Sequence, residues 1–314
     1  MMKTISIIVP CYNEHETINI YYDEVTKYLD SNYKWNIIFV DDGSKDNTLS
    51  IIKELNKKDE RIKYVSFSRN FGKEAAMYAG LENAKKLNSD MAIIMDVDLQ
   101  DPPRLIPELL KSYDEGYHII YTRQKNRHGS SLKSAFFSLT FYRVYSFFTK
   151  DKVVAKGARD YCLLDKKAID AFLSVKDYKR FTKGIYNYVG FKNKCIEFDY
   201  EKRVAGETKW NFKKLFRYAL IGINEFSSLY TYIPKFFGFL TFLLLIYDVI
   251  RQTINAVNAS SFSAFNFSPI RFDLALIAIF FTLYYLFKLC YELRGQTRNR
   301  PIYIEEETNI DEAD

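Results

Sequence analysis

Residues 1 to 121 predict an α/β fold built on a mostly parallel, doubly wound sheet. Three observations carry the prediction. Short β-branched runs alternate with segments of helical periodicity, turn residues separate them, and the unusual polar residues collect just after the runs end. Ile5 to Val9 reads as the first strand, followed by a helix over Glu14 to Leu29 that Asn13 caps, with Glu16 three residues on. Asn36 to Val40 and Ile62 to Phe67 are the next strands, with Thr48 to Asn56 and Lys73 to Leu87 as helices. Met91 to Met95 is a fourth strand. Pro102-Pro103 opens a helix through Tyr113, since proline suits a first helical turn, and His118 to Tyr121 is a fifth strand. Sheets of this kind bind ligands beyond the carboxyl ends of their strands, so the chemistry is expected there.

Composition narrows the class. The 314 residues carry a net charge of +6 and are 48% hydrophobic, which describes neither a disordered chain nor a dedicated nucleic-acid binder. With 25 Tyr and 26 Phe, concentrated after residue 130, the chain suits work at a lipid interface. Cys11, Cys162, Cys195 and Cys290 have no metal-binding spacing, which points to a reducing compartment. The first apolar run is too short for a signal peptide, so the N-terminus is expected to remain cytoplasmic.

The strand ends hold the candidate site. After the first strand comes Pro10-Cys11-Tyr12-Asn13-Glu14, after the second Asp41-Asp42-Gly43-Ser44, and after the fourth Asp96-Val97-Asp98-Leu99-Gln100. Side chains alternate along an extended chain, so Asp96 and Asp98 at i, i+2 point the same way where the sheet stops. Two converging carboxylates suit a hard divalent cation, Mg²⁺ or Mn²⁺, whose shell a substrate's phosphate oxygens complete; the ligand this predicts is a nucleoside diphosphate. Neither the glycine-rich turn of a dinucleotide fold nor a G-K-[ST] phosphate loop is present. A dehalogenase-type phosphatase needs its D-x-D after the first strand, not the fourth.

These motifs, together with Asn70-Phe71-Gly72-Lys73, Gly157-Ala158-Arg159-Asp160-Tyr161 and Arg203-Val204-Ala205-Gly206-Glu207-Thr208-Lys209-Trp210, resemble family 2 glycosyltransferases of the GT-A fold. The similarity is greatest to the polyprenyl-phosphate group, that of dolichol-phosphate mannose synthase and bactoprenol glucosyltransferases, and runs from residue 4 to about 230. The resemblance implies that Pro10, Tyr12, Glu14, Val40 and Asp42 surround the base and ribose of a nucleotide sugar. It places Asp96, Val97, Asp98 and Gln100 at the diphosphate, with Asp96, Asp98 and Gln100 on the metal. Arg123, Arg203 and Lys209 match phosphate-contacting positions, and Arg127 and Lys133 are candidates for an acceptor phosphate. Asp160 stands where many relatives hold a base, but a phosphate monoester with a second pKa of about 6 is largely ionised already, so Asp160 is expected to orient acceptor or sugar. Cys162 stands where relatives often have an arginine.

The implied organisation is a GT-A nucleotide-sugar domain over 1–208, a juxtamembrane amphipathic segment over 209–235, transmembrane helices over 236–257 and 272–291 around an external loop at 258–271, and a cytoplasmic tail over 292–314. Both apolar segments approach the ~20 residues that span a bilayer, and the basic residues flanking the pair outnumber those between, placing both termini in the cytoplasm. Asp248 and Arg251 are spaced to pair on one helix face. Ser134 to Phe148 forms a broad aromatic face, either buried between protomers or lying on the membrane, and the acidic residues Glu305 to Asp314 read as a disordered tail.

The reading is a plasma-membrane enzyme that transfers a hexose from a nucleotide sugar, UDP-glucose or UDP-N-acetylglucosamine, to undecaprenyl phosphate with inversion. A tetramer is implied by analogy and no nucleic acid is involved. Alternatives are a GDP-mannose transferase, a polysaccharide-extending transferase, which would show a Q-x-x-R-W motif and more membrane helices, and an inactive membrane scaffold.

Overall fold

The computed structural model describes residues 2–125, 158–177, 180–199, 246–260 and 301–310, with scattered positions between 243 and 293. Two compact units divide the chain: Met1–Phe226 together with Pro301–Asp314, and Ser227–Arg300.

The first unit holds an eight-stranded sheet. Its elements in chain order are β1 (Thr4–Cys11), α1 (Ile18–Val25), β2 (Lys34–Asp41), α2 (Thr48–Lys58), β3 (Ile62–Phe67), α3 (Lys73–Lys86), β4 (Met91–Ile94), α4 (Ile106–Asp114), β5 (Ile119–Gln124), β6 (Ala158–Asp165), α5 (Lys166–Ser174), α6 (Thr182–Tyr188), β7 (Asn193–Phe198) and β8 (Glu305–Thr308). The strand order is β7-β5-β6-β4-β1-β2-β3-β8. β1 pairs in parallel with β2 and β4, β2 with β3, and β5 with β7.

The five expected strands are all present, but the sheet is mixed. β6 runs antiparallel between β4 and β5, and β8 runs antiparallel along β3. Three strands were not foreseen. Arg159 and Asp160 lie half-buried near the start of β6, whose following residues Tyr161 to Leu164 are buried, with Cys162 to Leu164 paired between β4 and β5. The supposed disordered tail instead closes the β3 edge. There Tyr303 stacks on Phe67 with 4.8 Å between centroids, the Asn309 side chain accepts the Tyr64 N–H at 2.7 Å, and Ile310 is buried. Capping an exposed edge outweighs the solvation of the acidic side chains, which point outward.

Helices cover both faces. Ile5, Ile7 and Val9 of β1 join Ile37 and Phe39 under α1, α2 and α4, while Ile8, Ile38 and Val40 pack beneath α3, α5 and α6. Central strands buried on both faces read as continuous apolar runs, as β1 and β2 do. Gly80 lets α3 approach β1, since a Cβ there would stand 2.1 Å from Ile8 Cγ2.

Helix starts partly depart from expectation. Asn13 does not cap α1: it takes φ +52°, its N–H donates to Ser44 Oγ at 2.8 Å, and its Oδ1 accepts from Lys45 N at 2.8 Å, so Thr17 occupies the N-cap position. Its hydrogen-bonding capacity ties the loops after β1 and β2 together instead. Pro103 does open a first turn, at Pro103–Leu105, ahead of α4.

In the second unit, residues 246–258 are helical with Tyr247, Ile250 and Val257 exposed, and positions of 274–293 are helical with Ile279, Tyr285 and Leu286 exposed. Among the described residues no helix is long and apolar enough to cross a membrane, and no ion pair joins Asp248 to Arg251. Much of both expected spans, and all of 126–157 and 200–235, lies outside the described residues.

Candidate active site

The carboxyl ends of β1, β2, β3 and β4 converge with β6 on a cluster of charged side chains. Its centre is Lys73, the first residue of α3. The Lys73 ammonium lies 2.6 Å from Asp96 Oδ1 and donates to Asp160 Oδ2 at 2.8 Å. Beside it, Arg159 Nε donates to Asp101 Oδ1 at 2.6 Å, and Asp101 Oδ2 accepts the Asp96 N–H at 3.2 Å. Lys183 of α6 stands 3.8 Å from Asp160 Oδ1. Asp98 is buried, its Oδ1 accepting the Gln100 N–H at 3.0 Å, and Leu99 between them takes φ +57°.

The electrostatics follow from burial set against pairing. Burial opposes charge on Asp160, but Lys73 and Lys183 prevail and hold its carboxyl well below the usual range. Burial likewise opposes charge on Lys73, and Asp160 and Asp96 overcome it, so the ammonium keeps its proton. Asp101 is pushed up to about 6 by burial, with Arg159 pulling the other way. Four carboxylates, Asp96, Asp98, Asp101 and Asp160, thus face three cations, Lys73, Arg159 and Lys183. The surplus of negative charge and the all-oxygen donor set fit a hard divalent cation. Among the described residues no three such groups form a ready-made cage. That agrees with the habit of Mg²⁺, which takes one or two carboxylates and leaves the rest of its shell to water and phosphate.

Asp42 lies across the cluster at the end of β2. Its carboxylate accepts the N–H groups of Phe71 at 2.6 Å and Gly72 at 2.9 Å, and burial pushes it up to about 6 against those bonds. It therefore shapes the loop that delivers Lys73. Gly43, at φ +67°, lets that loop pass, because a Cβ there would stand 2.5 Å from the Arg69 carbonyl carbon. Pro10, Tyr12 and Glu14 are half-buried at the end of β1, and Gln100 is half-buried after β4. Val40 and Val97 are buried, Val40 packing beneath α3, so its side chain is core and not site surface. Arg123 pairs with Glu197 of β7. Arg127, Lys133, Arg203 and Lys209 lie outside the described residues. A cavity of about 190 Å³ opens among Arg69, Phe71, Glu74, Arg180 and Ile302, and none of the cluster carboxylates lines it.

Asp96 and Asp160, both singled out from the sequence, share Lys73, and Asp98 lies two residues on from Asp96; sequence reasoning gave no role to Lys73, Asp101, Arg159 or Lys183. Lys73 was detectable, since it follows the third strand as the aspartates follow the fourth. The Cys162 position is filled from within: its thiol lies under the Tyr186 hydroxyl at 2.9 Å, and burial pushes it up to about 12.

A parallel α/β half with a D-x-D segment beyond its fourth strand, followed by an antiparallel strand that carries Asp160 to Lys73, fits a GT-A-like mixed sheet. Residues 6–172 match the model of glycosyl transferase family 2, and the chain belongs to that family. It is 34% identical to an uncharacterized glycosyltransferase of Synechocystis sp., covering 84% of this chain and 83% of that one. It is 35% identical to a prophage bactoprenol glucosyl transferase homolog of Escherichia coli (73% and 75%), and 34% to the bactoprenol glucosyl transferase of Shigella phage SfV (76% and 78%). Among solved structures, mannosyl-3-phosphoglycerate synthase from Rubrobacter xylanophilus is 15% identical, covers 71% of this chain and 72% of that one, and has a TM-score of 0.49. The protein is a glycosyltransferase with a GT-A-like mixed sheet.

Proposed function

We propose that this enzyme transfers a hexose, with inversion, from a UDP-sugar to a polyprenyl phosphate, undecaprenyl phosphate, at the cytoplasmic face of the plasma membrane. The observation that carries the proposal is the state of Asp160. A transferase acting on a sugar hydroxyl needs a proton acceptor beside the anomeric carbon. Asp160, which the resemblance puts at that place, is ion-paired with Lys73 and Lys183, and the two cations hold its carboxyl well below the usual range. An enzyme so arranged suits a nucleophile that brings its own charge, as a phosphate monoester does. The relatives named as bactoprenol glucosyl transferases support the same acceptor class.

In the reaction a phosphate oxygen of the acceptor attacks the anomeric carbon, and the bond to the nucleoside diphosphate breaks with its electron pair leaving on that group. Asp96 and Asp98, with Gln100 beside them, would hold Mg²⁺ or Mn²⁺, which supplies charge neutralisation at the diphosphate. Asp42 and the half-buried Pro10, Tyr12 and Glu14 form the wall for the base and ribose. Lys73 keeps Asp96 and Asp160 at a fixed spacing before substrate arrives. Arg203 and Lys209 are assigned to the donor phosphates, and Arg127 and Lys133 to the approach of the lipid.

The membrane assignment rests on segments 236–257 and 272–291, on the apolar side chains exposed along their described helical positions, and on the flanking basic residues. Tags before Met1 and after Asp314 are then shielded from protease in intact cells. The deciding experiment is a panel of UDP- and GDP-sugars with undecaprenyl phosphate and the purified full-length enzyme. Transfer from a UDP-hexose is expected. Donor hydrolysis without lipid product, or transfer only to a saccharide acceptor, would reject the reading.

A further inference from the structure

Lys183 stands apart from the other cations of the cluster. Lys73 and Arg159 each donate a hydrogen bond to a carboxylate, whereas the Lys183 ammonium stands 3.8 Å from Asp160 Oδ1, beyond hydrogen-bond reach. Among the described residues that is its nearest anionic partner. Asp160 Oδ1 is itself buried and accepts no hydrogen bond, an uncommon state for a buried charged oxygen. A half-buried ammonium and a buried oxygen thus face each other across a gap neither closes.

The gap is held open from the backbone. Glu74 accepts from Thr182 N at 3.1 Å and from Thr182 Oγ1 at 2.5 Å, which fixes the start of α6 against the start of α3. The preceding residue, Lys73, fixes Asp160 of β6. Two consecutive side chains of α3 therefore fix the start of α6, which carries Lys183, beside Asp160. A lysine stem bends easily, so an ammonium left short of an available carboxylate is poised for a ligand that arrives from outside.

The order of contacts says which ligand. Contacts run from Asp96 to Lys73, from Lys73 to Asp160 and from Asp160 to Lys183, and Asp98 follows Asp96 by two residues. An inverting displacement keeps nucleophile and leaving group on opposite sides of the reacting carbon. With the donor diphosphate at Asp96 and Asp98 as proposed above, the cation reached on the far side of Asp160 in this order of contacts is Lys183, and the incoming anion is assigned to it. A phosphate monoester offers several acceptor oxygens and up to two charges, enough to take one N–H of Lys183 without displacing Lys73.

We infer that Lys183 binds the phosphate monoester of the acceptor, beside Asp160 of the charge cluster. The inference rests on the proposed acceptor class and deepens it, by assigning an acceptor ligand on α6 in addition to Arg127 and Lys133.

The test uses the full-length enzyme in detergent, with Lys183→Met, which keeps most of the stem, and Lys183→Arg. Initial rates are measured against polyprenyl phosphate and against donor. Lys183→Met is expected to raise the acceptor KM by roughly 10- to 100-fold, the worth of a charge-assisted hydrogen bond, with the donor KM within about twofold and partial recovery in Lys183→Arg. A second readout needs no turnover: the binding of a short-chain prenyl monophosphate is compared with that of the matching prenyl alcohol and of inorganic phosphate. The wild type should prefer the monophosphate to the alcohol, and Lys183→Met should lose that preference. Competition by inorganic phosphate as strong as by the prenyl monophosphate would mark a free-phosphate site and overturn the assignment. An unchanged acceptor KM, or a change confined to the donor KM, would also overturn it. If the wild type transfers no sugar to a polyprenyl phosphate, the proposed function fails, and the monophosphate-to-alcohol ratio still decides Lys183.

Discussion

Replacing Lys73 with methionine removes one ammonium and leaves the stem in place, so its effect isolates the charge at the centre of the site. Lys73 contacts Asp96 at 2.6 Å and Asp160 at 2.8 Å, and both carboxylates lose their closest cation. Removing one partner of a fully buried pair costs about 3–5 kcal/mol. The three side chains keep 23%, 24% and 18% of their surface, so water recovers part of the loss. A destabilisation of about 2–3 kcal/mol follows, or a Tm lower by about 4–12 °C for a unit of this size. Chemical denaturation of the full-length protein, followed by tryptophan fluorescence with Lys73→Met, Asp160→Asn and the double variant, checks the figure. The double variant should be more stable than the sum of the single changes predicts, with a coupling of about 1–2 kcal/mol, because neutralising Asp160 removes one of the two stranded charges. A Lys73→Met protein within about 0.5 kcal/mol of wild type, or strict additivity, would refute the bridging role.

Asp98→Asn should leave the fold intact and lower turnover by about 100-fold or more, with EDTA abolishing wild-type transfer and Mn²⁺ restoring it; near-normal rates in either case would remove the cation from the site. Gly43→Ala places a Cβ 2.5 Å from the Arg69 carbonyl carbon at a backbone φ of +67°, so about 2–4 kcal/mol of stability should be lost together with donor affinity, read by urea midpoint and donor KM. Truncation after Arg300 exposes the β3 edge and discards the Tyr303–Phe67 stack and the buried Ile310, and should cost several kcal/mol; an unchanged midpoint would mean that β8 contributes nothing to the unit.

The sequence by itself determined the parallel half of the sheet and the gathering of unusual polar residues just beyond its strands. β1 to β4 are continuous apolar runs because they are buried on both faces, and their helices carry the complementary period, so local pattern and tertiary role coincide. The D-x-D pair was legible as two acids just beyond an apolar strand, but β4 ends at Ile94 and Val97 and Asp98 form a turn, so strand alternation does not set where the two carboxylates point. What pattern could not reveal depended on residues far apart in the chain. β6 packs between β4 and β5 after a long intervening segment, and β8 reaches β3 from the far end of the sequence, where acidic side chains conceal a strand whose stabilisation comes from backbone pairing along a free edge. Asn13 resembled a helix cap because its residue type and spacing fitted, yet loop-to-loop hydrogen bonds to Ser44 and Lys45 claimed it. The pairing of Lys73 with Asp96 and Asp160, which are 23 and 87 residues away, exists only once β4, β6 and the start of α3 meet. Charge pairing depends on distance in space, and only the folded sheet sets that distance.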